Sequence, residues 1–319
     1  MKSVTKNISG YMAIVGIIVL YFVYTLVYKL LPDGDMHDWV YYLVCGCVLI
    51  AVTLLTPKLL GYPVKNEIGL NHKPDITTTL IVICVGVLLM VFGLGYSNIA
   101  FYLLQAIGYS NVATIPVMNN AITIILGFVG LGLLPSLGEE FLVRGSILNS
   151  LKSTVGAKKA IILSALFFGL MHGSVSQLGH QFLVGIACAI VVLVGKSIWY
   201  GVILHFVNNA ITLTLSVVSF SVTVTGATTP SEFFGSLDFA ICIGLMVVGL
   251  VGVFLLLKYL IAKKVQKGQA KGLNALASLG NISNDWVDKG QNRIFYASLI
   301  ALGVLVVVDF VVVMCGVGL

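Results

Sequence analysis

Apolar runs of about twenty residues, separated by short polar stretches, recur along the whole chain. At 1.5 Å per helical residue, such a run covers the ~30 Å hydrocarbon core of a bilayer. The pattern predicts spans near residues 9–31, 38–56, 78–104, 118–152, 158–176, 178–196, 198–221, 237–261 and 294–318. The fourth carries Pro135 and reads either as one kinked helix or as two pieces. The ~10-residue alternation of a transmembrane β-barrel is not visible. The fold class is therefore all-α, a polytopic transmembrane helix bundle of about eight to nine spans. The first run, from Ile8 to Leu31, is too long for a signal-peptide core and lacks a small-residue cleavage site, so it reads as a retained span.

Composition agrees with this pattern. Charged residues are 9% of the chain and hydrophobic ones 59%, with mean hydropathy +1.06. An ordinary soluble domain is about 25% charged. The net charge of +6 is spread over loops between spans, which points to the lipid bilayer and not to nucleic acid. Cys45, Cys47, Cys84, Cys188, Cys242 and Cys315 all lie in apolar runs without a CxxC pair, so no zinc or disulfide framework is indicated.

The chain divides into N-terminal helices (1–115), a central core (116–225) and C-terminal helices (226–319) with a basic loop over 263–293. That loop carries Lys263, Lys264, Lys267 and Lys271, with Leu273, Leu276 and Leu279 at helical spacing. It fits an interfacial amphipathic helix or a solvated basic loop equally well. Lys2 and Lys6, the loop with Lys58, Lys65 and Lys73, and the group Lys152, Lys158 and Lys159 alternate with non-basic loops, one of which holds Asp33, Asp35 and Asp38. Nine spans with the N-terminus inside satisfy the positive-inside rule.

Only four glutamates occur, and Glu139 and Glu140 are adjacent within an apolar stretch. An acid inside the bilayer costs about 3 kcal/mol or more and marks a functional position by default. Three constellations follow in order. They are Glu139-Glu140-x-x-x-Arg144, Phe168-x-x-x-His172 and His205-x-x-x-Asn209. Positions i and i+4 share a helix face, so Arg144 is placed to neutralise Glu140. Glu139 points about 100° away, toward a cavity. Glu139 and His172 are also nearly equidistant from a turn at residues 153–156, so antiparallel helices bring them to one depth.

The plainer roles are a structural ion cluster, an ion-coupling site, or interhelical hydrogen bonding by the histidines. Asn208 faces away from Asn209 and is expected to pack, while His180 and Gln181 start a span and are expected at the interface. Asp309 is an intramembrane acid with no evident partner. The HExxH, GxSxG and GxGD signatures that mark three classes of hydrolase working within membranes are absent.

The ordered motifs between Leu137 and Ala210 resemble the CPBP family of intramembrane proteases, the CAAX-protease and bacteriocin-processing (Abi) group that includes Rce1-like enzymes. The resemblance implies a membrane-embedded peptide hydrolase. Glu139 and His172 would activate water, His205 and Asn209 would stabilise the oxyanion, and Glu140, Arg144 and Phe168 would support them. It implies no cofactor in a glutamate-type mechanism. The alternative is Zn²⁺ held by Glu139, His172 and His205.

The expected substrate is a membrane-associated peptide or protein, and the short loops read as a bacterial cell membrane. The competing function is a non-enzymatic scaffold or bacteriocin self-immunity protein that binds a membrane partner such as a sensor kinase. A transporter would be expected to show broken helices in two corresponding halves, and no duplication is visible.

Overall fold

A computed structural model describes residues 7–30, 36–61, 70–109, 116–218, 229–266 and 289–314. The expectations placed on Lys2, Lys6, Asp33, Asp35, Lys65, Lys267, Lys271, Leu273, Leu276, Leu279 and Cys315 lie outside the described residues.

The described chain is helical, with no strand. The helices are α1 (Ser9–Leu30), α2 (Met36–Leu59), α3 (Ile76–Ala106), α4 (Ala121–Val155), α5 (Ala157–Leu170), α6 (Val175–Gly195), α7 (Ile198–Val217), α8 (Pro230–Phe234), α9 (Leu237–Gln266) and α10 (Lys289–Met314). Among the described residues, eight helices are long and apolar enough to cross a membrane.

One expectation about spans changes, and one left open between two alternatives is resolved. The stretch predicted as a span over 158–176 is only the 14-residue α5. At 1.5 Å per residue it reaches about 21 Å, short of the hydrocarbon thickness. The chain turns back at residues 171–174, where Gly173 takes φ +65°, a conformation that glycine adopts without strain. The α5–α6 hairpin therefore sets His172 at its tip.

The long fourth segment is one continuous helix with two π-type stretches, Phe128–Leu133 and Phe141–Leu148. They flank the α-helical Leu134–Glu140 segment that carries both glutamates. Wide turns of this kind are frequent at functional sites. Asn120 starts α4 with a capping box, accepting from the Thr123 amide at 3.0 Å.

Helix α4 is the central post. On one side α1 and α2 pack on each other and on α4. On the other side α3, α6, α7 and α9 form a second group. Gly138 of α4 approaches Leu49 of α2, and Gly16 of α1 approaches Leu142 of α4. Gly249 of α9 sits on the backbone of α3 at Leu88 and Phe92, where a Cβ would meet Phe92 N at 2.6 Å. Such close backbone approach is the usual way membrane helices gain packing without a hydrophobic driving force.

One end of the bundle is tied by polar contacts. Asp75, the N-cap of α3, accepts from the Thr78 amide at 2.9 Å, from Tyr200 Oη of α7 at 3.0 Å and from Lys264 Nζ of α9 at 2.8 Å. Burial alone would raise the Asp75 pKa. The hydrogen bonds from Lys264, Thr78 and Tyr200 outweigh it and hold the carboxyl well below the usual carboxylate range. At the same end Asn7 donates to Asn292 and the Ile8 amide to Ser150 Oγ, joining α1, α10 and α4.

At the opposite end Tyr109 donates to Asp309 at 2.8 Å, a partner that the sequence alone does not reveal. Burial, then that hydrogen bond, pushes the Tyr109 phenol up to about 12.

Candidate active site

The two adjacent glutamates have opposite surroundings. Glu140 is fully buried, and its Oε1 takes Arg144 Nη1 at 2.7 Å, one helical turn on. Arg144 is also fully buried. Its Nη2 donates to the Gly185 carbonyl of α6 at 3.0 Å, and its guanidinium lies 4.3 Å from the centre of the Phe168 ring on α5. One charge thus joins three helices through an ion pair, a backbone hydrogen bond and a cation–π contact. Gly201 of α7 makes room for the carboxylate, since a Cβ there would stand 2.5 Å from Glu140 Oε2.

Glu139 faces a cavity. Its Oε2 stands 3.9 Å from His172 Nε2, and both side chains keep partial exposure. His172 Nδ1 lies 2.7 Å from the Phe168 carbonyl. A carbonyl only accepts, so Nδ1 carries the hydrogen and a neutral ring presents its Nε2 lone pair to Glu139. Two acceptors face each other across a gap too long for a direct hydrogen bond and of the right size for a water that donates to both.

His205 on α7 is buried, with Nδ1 3.3 Å from Glu140 Oε1. The Phe168 ring packs edge-on against both His172 and His205, with centroids 5.0 and 5.4 Å apart. Asn209, one turn beyond His205, donates Nδ2 to the Leu131 carbonyl of α4 at 3.1 Å. That carbonyl lies four residues before Pro135, which has no N–H to give it.

The Glu139, His172, His205 and Asn209 side chains line one cavity of about 610 Å³. It has the size of a pocket for a small molecule or a short peptide segment. Three further residues line it against expectation. Asn208 does not simply pack: its buried Oδ1 has no hydrogen-bond partner and its side chain borders the cavity. His180 and Gln181 border the cavity too, instead of sitting at an interface. The sequence signal for them is one shared property, a polar side chain within an apolar helix, but the face each occupies depends on how α6 and α7 pack on α3.

Among the described residues, no three or more His, Cys, Asp or Glu side chains are gathered closely enough to hold a metal ion. His205 Nδ1 addresses Glu140, and His172 Nδ1 is engaged by Phe168. The Zn²⁺ donor set of Glu139, His172 and His205 does not converge in this geometry.

The fold and the site define a polytopic helical membrane protein with a buried acid–base centre. Residues 121–211 match the family model of Rce1-like type II CAAX prenyl endopeptidases. The matched stretch runs from the first residue of α4 to the middle of α7 and contains every motif residue of the site. The resemblance read from those motifs therefore holds over the segment that carries them, and it supports a protease acting on a membrane-embedded peptide. No curated protein and no solved structure matches the chain.

Proposed function

We propose that this protein is an intramembrane endopeptidase of glutamate type. The observation that carries the proposal is the facing pair of Glu139 Oε2 and His172 Nε2, 3.9 Å apart on a cavity wall. A water held between them donates one hydrogen to each acceptor and so turns its lone pairs toward a peptide carbonyl. Glu139 takes the proton as the water oxygen bonds to the carbonyl carbon. On collapse of the tetrahedral adduct the C–N bond breaks, and the same proton passes to the leaving nitrogen.

His205 and Asn209 supply hydrogen-bond donors to the oxyanion. Asn209 commits one amide hydrogen to Leu131 and keeps the second for this task. His205 presents its ring to this task from α7, with Nδ1 3.3 Å from Glu140 Oε1. Phe168 fixes the relative positions of the two imidazoles and the guanidinium. The substrate class is a membrane-associated peptide or protein, and the short-loop organisation suits a bacterial cell membrane.

Cleavage of a quenched peptide library by purified protein tests this. Glu139→Gln and His172→Ala are expected to lose cleavage, while a zinc chelator leaves the wild type active. Loss of activity on chelation would transfer the chemistry to a metal. A wild type that cleaves nothing would favour a binding or immunity role.

A further inference from the structure

The cavity is placed asymmetrically between the two ends of the bundle. Among the described residues every lysine and arginine except Lys29 and the buried Arg144 lies at or near one end. These residues are Lys58, Lys73, Lys152, Lys158, Lys159 and Lys196, with Lys258, Lys263 and Lys264 in the last turns of α9 and Lys289 and Arg293 at the start of α10. The opposite end carries Asp38, Glu232, Asp238 and Asp309 against the single Lys29. By the positive-inside rule the basic end is cytoplasmic.

Toward that basic end the site is sealed. Every residue of α4 from Glu140 to Leu151 is buried, and Phe168, Ile198 and Tyr200 close the same half from α5 and α7. Away from it the cavity continues. Its wall there consists of Tyr24 near the end of α1, Tyr41 and Tyr42 near the start of α2, Ser97 and Phe101 toward the end of α3, and Leu213 toward the end of α7. Each of these lies in the acidic half of its helix. Tyr24 and Phe101 are 49% and 38% exposed, so the mouth between the α1–α2 pair and α3 meets the membrane side of the bundle.

We infer that the site takes its peptide from the non-cytoplasmic half of the bilayer, through the opening between α1–α2 and α3. This deepens the protease reading and rests on it for the word substrate. The substrate class is then a segment that has already been translocated, with its scissile bond in the outer half of the membrane. A cytoplasmic tail would meet the sealed face. The aromatic walls suit an apolar segment, and Ser97, Ser176, Gln177, Gln181 and Thr212 offer hydrogen-bonding groups to an extended backbone.

The test is thiol accessibility in the full-length protein, scored in right-side-out and inverted membrane vesicles with a membrane-impermeant maleimide. The single-cysteine variants, made in a protein whose six native cysteines are replaced by serine, are S97C and T212C on the cavity and K158C on the exposed basic end, with the cysteine-free protein as the blank. Labelling of S97C and T212C in right-side-out vesicles, at least fivefold above inverted ones, with the reverse for K158C, is the expected result. Labelling of the cavity variants only in inverted vesicles, or in neither orientation, overturns the inference. The labelling needs no catalysis. A protein that cleaves no peptide yet shows the expected labelling would sink the protease reading and leave the direction of access standing.

Discussion

Asn209 donates its side-chain amide to the Leu131 carbonyl, 3.1 Å away, and in α-helical register that carbonyl would look to the N–H that Pro135 lacks. The pair ties α7 to α4 at the turn that leads into the proline. The π-type stretch before Pro135 widens the helix, and α7 adds a hydrogen bond to its wall at Leu131. Asn209→Ala should then carry two separable losses. The orphaned carbonyl costs about 1–3 kcal/mol of stability. The oxyanion donor is lost as well. Pro135→Ala restores an N–H to the helix, so P135A/N209A should recover melting temperature toward wild type in detergent while cleavage stays lost. A double variant no more stable than N209A would show that Asn209 does not serve this carbonyl.

Much of the site was legible because its motifs are local. Glu140 to Arg144 and the Phe168 carbonyl to His172 are one-turn relations, and their spacing reads directly as contact. The meeting of Glu139 with His172 followed from their equal distance to a single turn. What the sequence hides is set by long-range packing. Asp75 meets Lys264 across 189 positions, and no local pattern marks the pairing. Asn208, His180 and Gln181 line the cavity only because of how α6 and α7 rest against α3. The short α5 was hidden for a different reason: its apolar run continues through Leu170 and Met171 into the turn, so hydropathy saw a full span where Gly173 reverses the chain.

The two glutamates should fail in different ways. Glu139 makes no hydrogen bond through Oε2 and faces the cavity, so Glu139→Gln should abolish cleavage at nearly unchanged melting temperature. Arg144→Ala strands the Glu140 carboxylate in a dry interior, at a cost of about 3–5 kcal/mol. Adding Glu140→Gln removes that stranded charge. The R144A/E140Q protein should therefore melt above R144A while remaining inactive. Equal melting of the two would mean that a stranded Glu140 carboxylate is not what destabilises R144A.

Gly201→Ala reverses the usual helix preference. In an ordinary helix interior, alanine gains about 1 kcal/mol over glycine. At this position the new Cβ would stand 2.5 Å from Glu140 Oε2 and 2.8 Å from Val192 Cγ2. The carboxylate must move off its Arg144 and His205 contacts. Lower melting temperature together with at least a tenfold loss of kcat/KM is the expected outcome. Gly244, with open space around its Cβ position, is the control, and Gly244→Ala should be neutral or stabilising.

The Asp75 cluster predicts a pH dependence with a definite sign. Its carboxyl sits below the ordinary value of about 3.9 in the folded protein, because the bonds from Lys264, Thr78 and Tyr200 outweigh its burial. The unfolded chain therefore binds the proton more readily. The stability that Asp75 contributes is fully present above about pH 4 and is lost as pH falls through the folded value. Asp75 is 51% exposed, so screening holds the effect to about 1 kcal/mol. Asp75→Asn keeps an acceptor for the Thr78 amide and removes the charge together with the second acceptor oxygen, to which Lys264, Tyr200 and Thr78 Oγ1 donate. The melting-temperature gap between wild type and D75N should be constant from pH 8 to pH 5 and shrink below pH 4. A gap that widens as the solution is acidified would mean that the carboxylate is not what ties α3, α7 and α9 together.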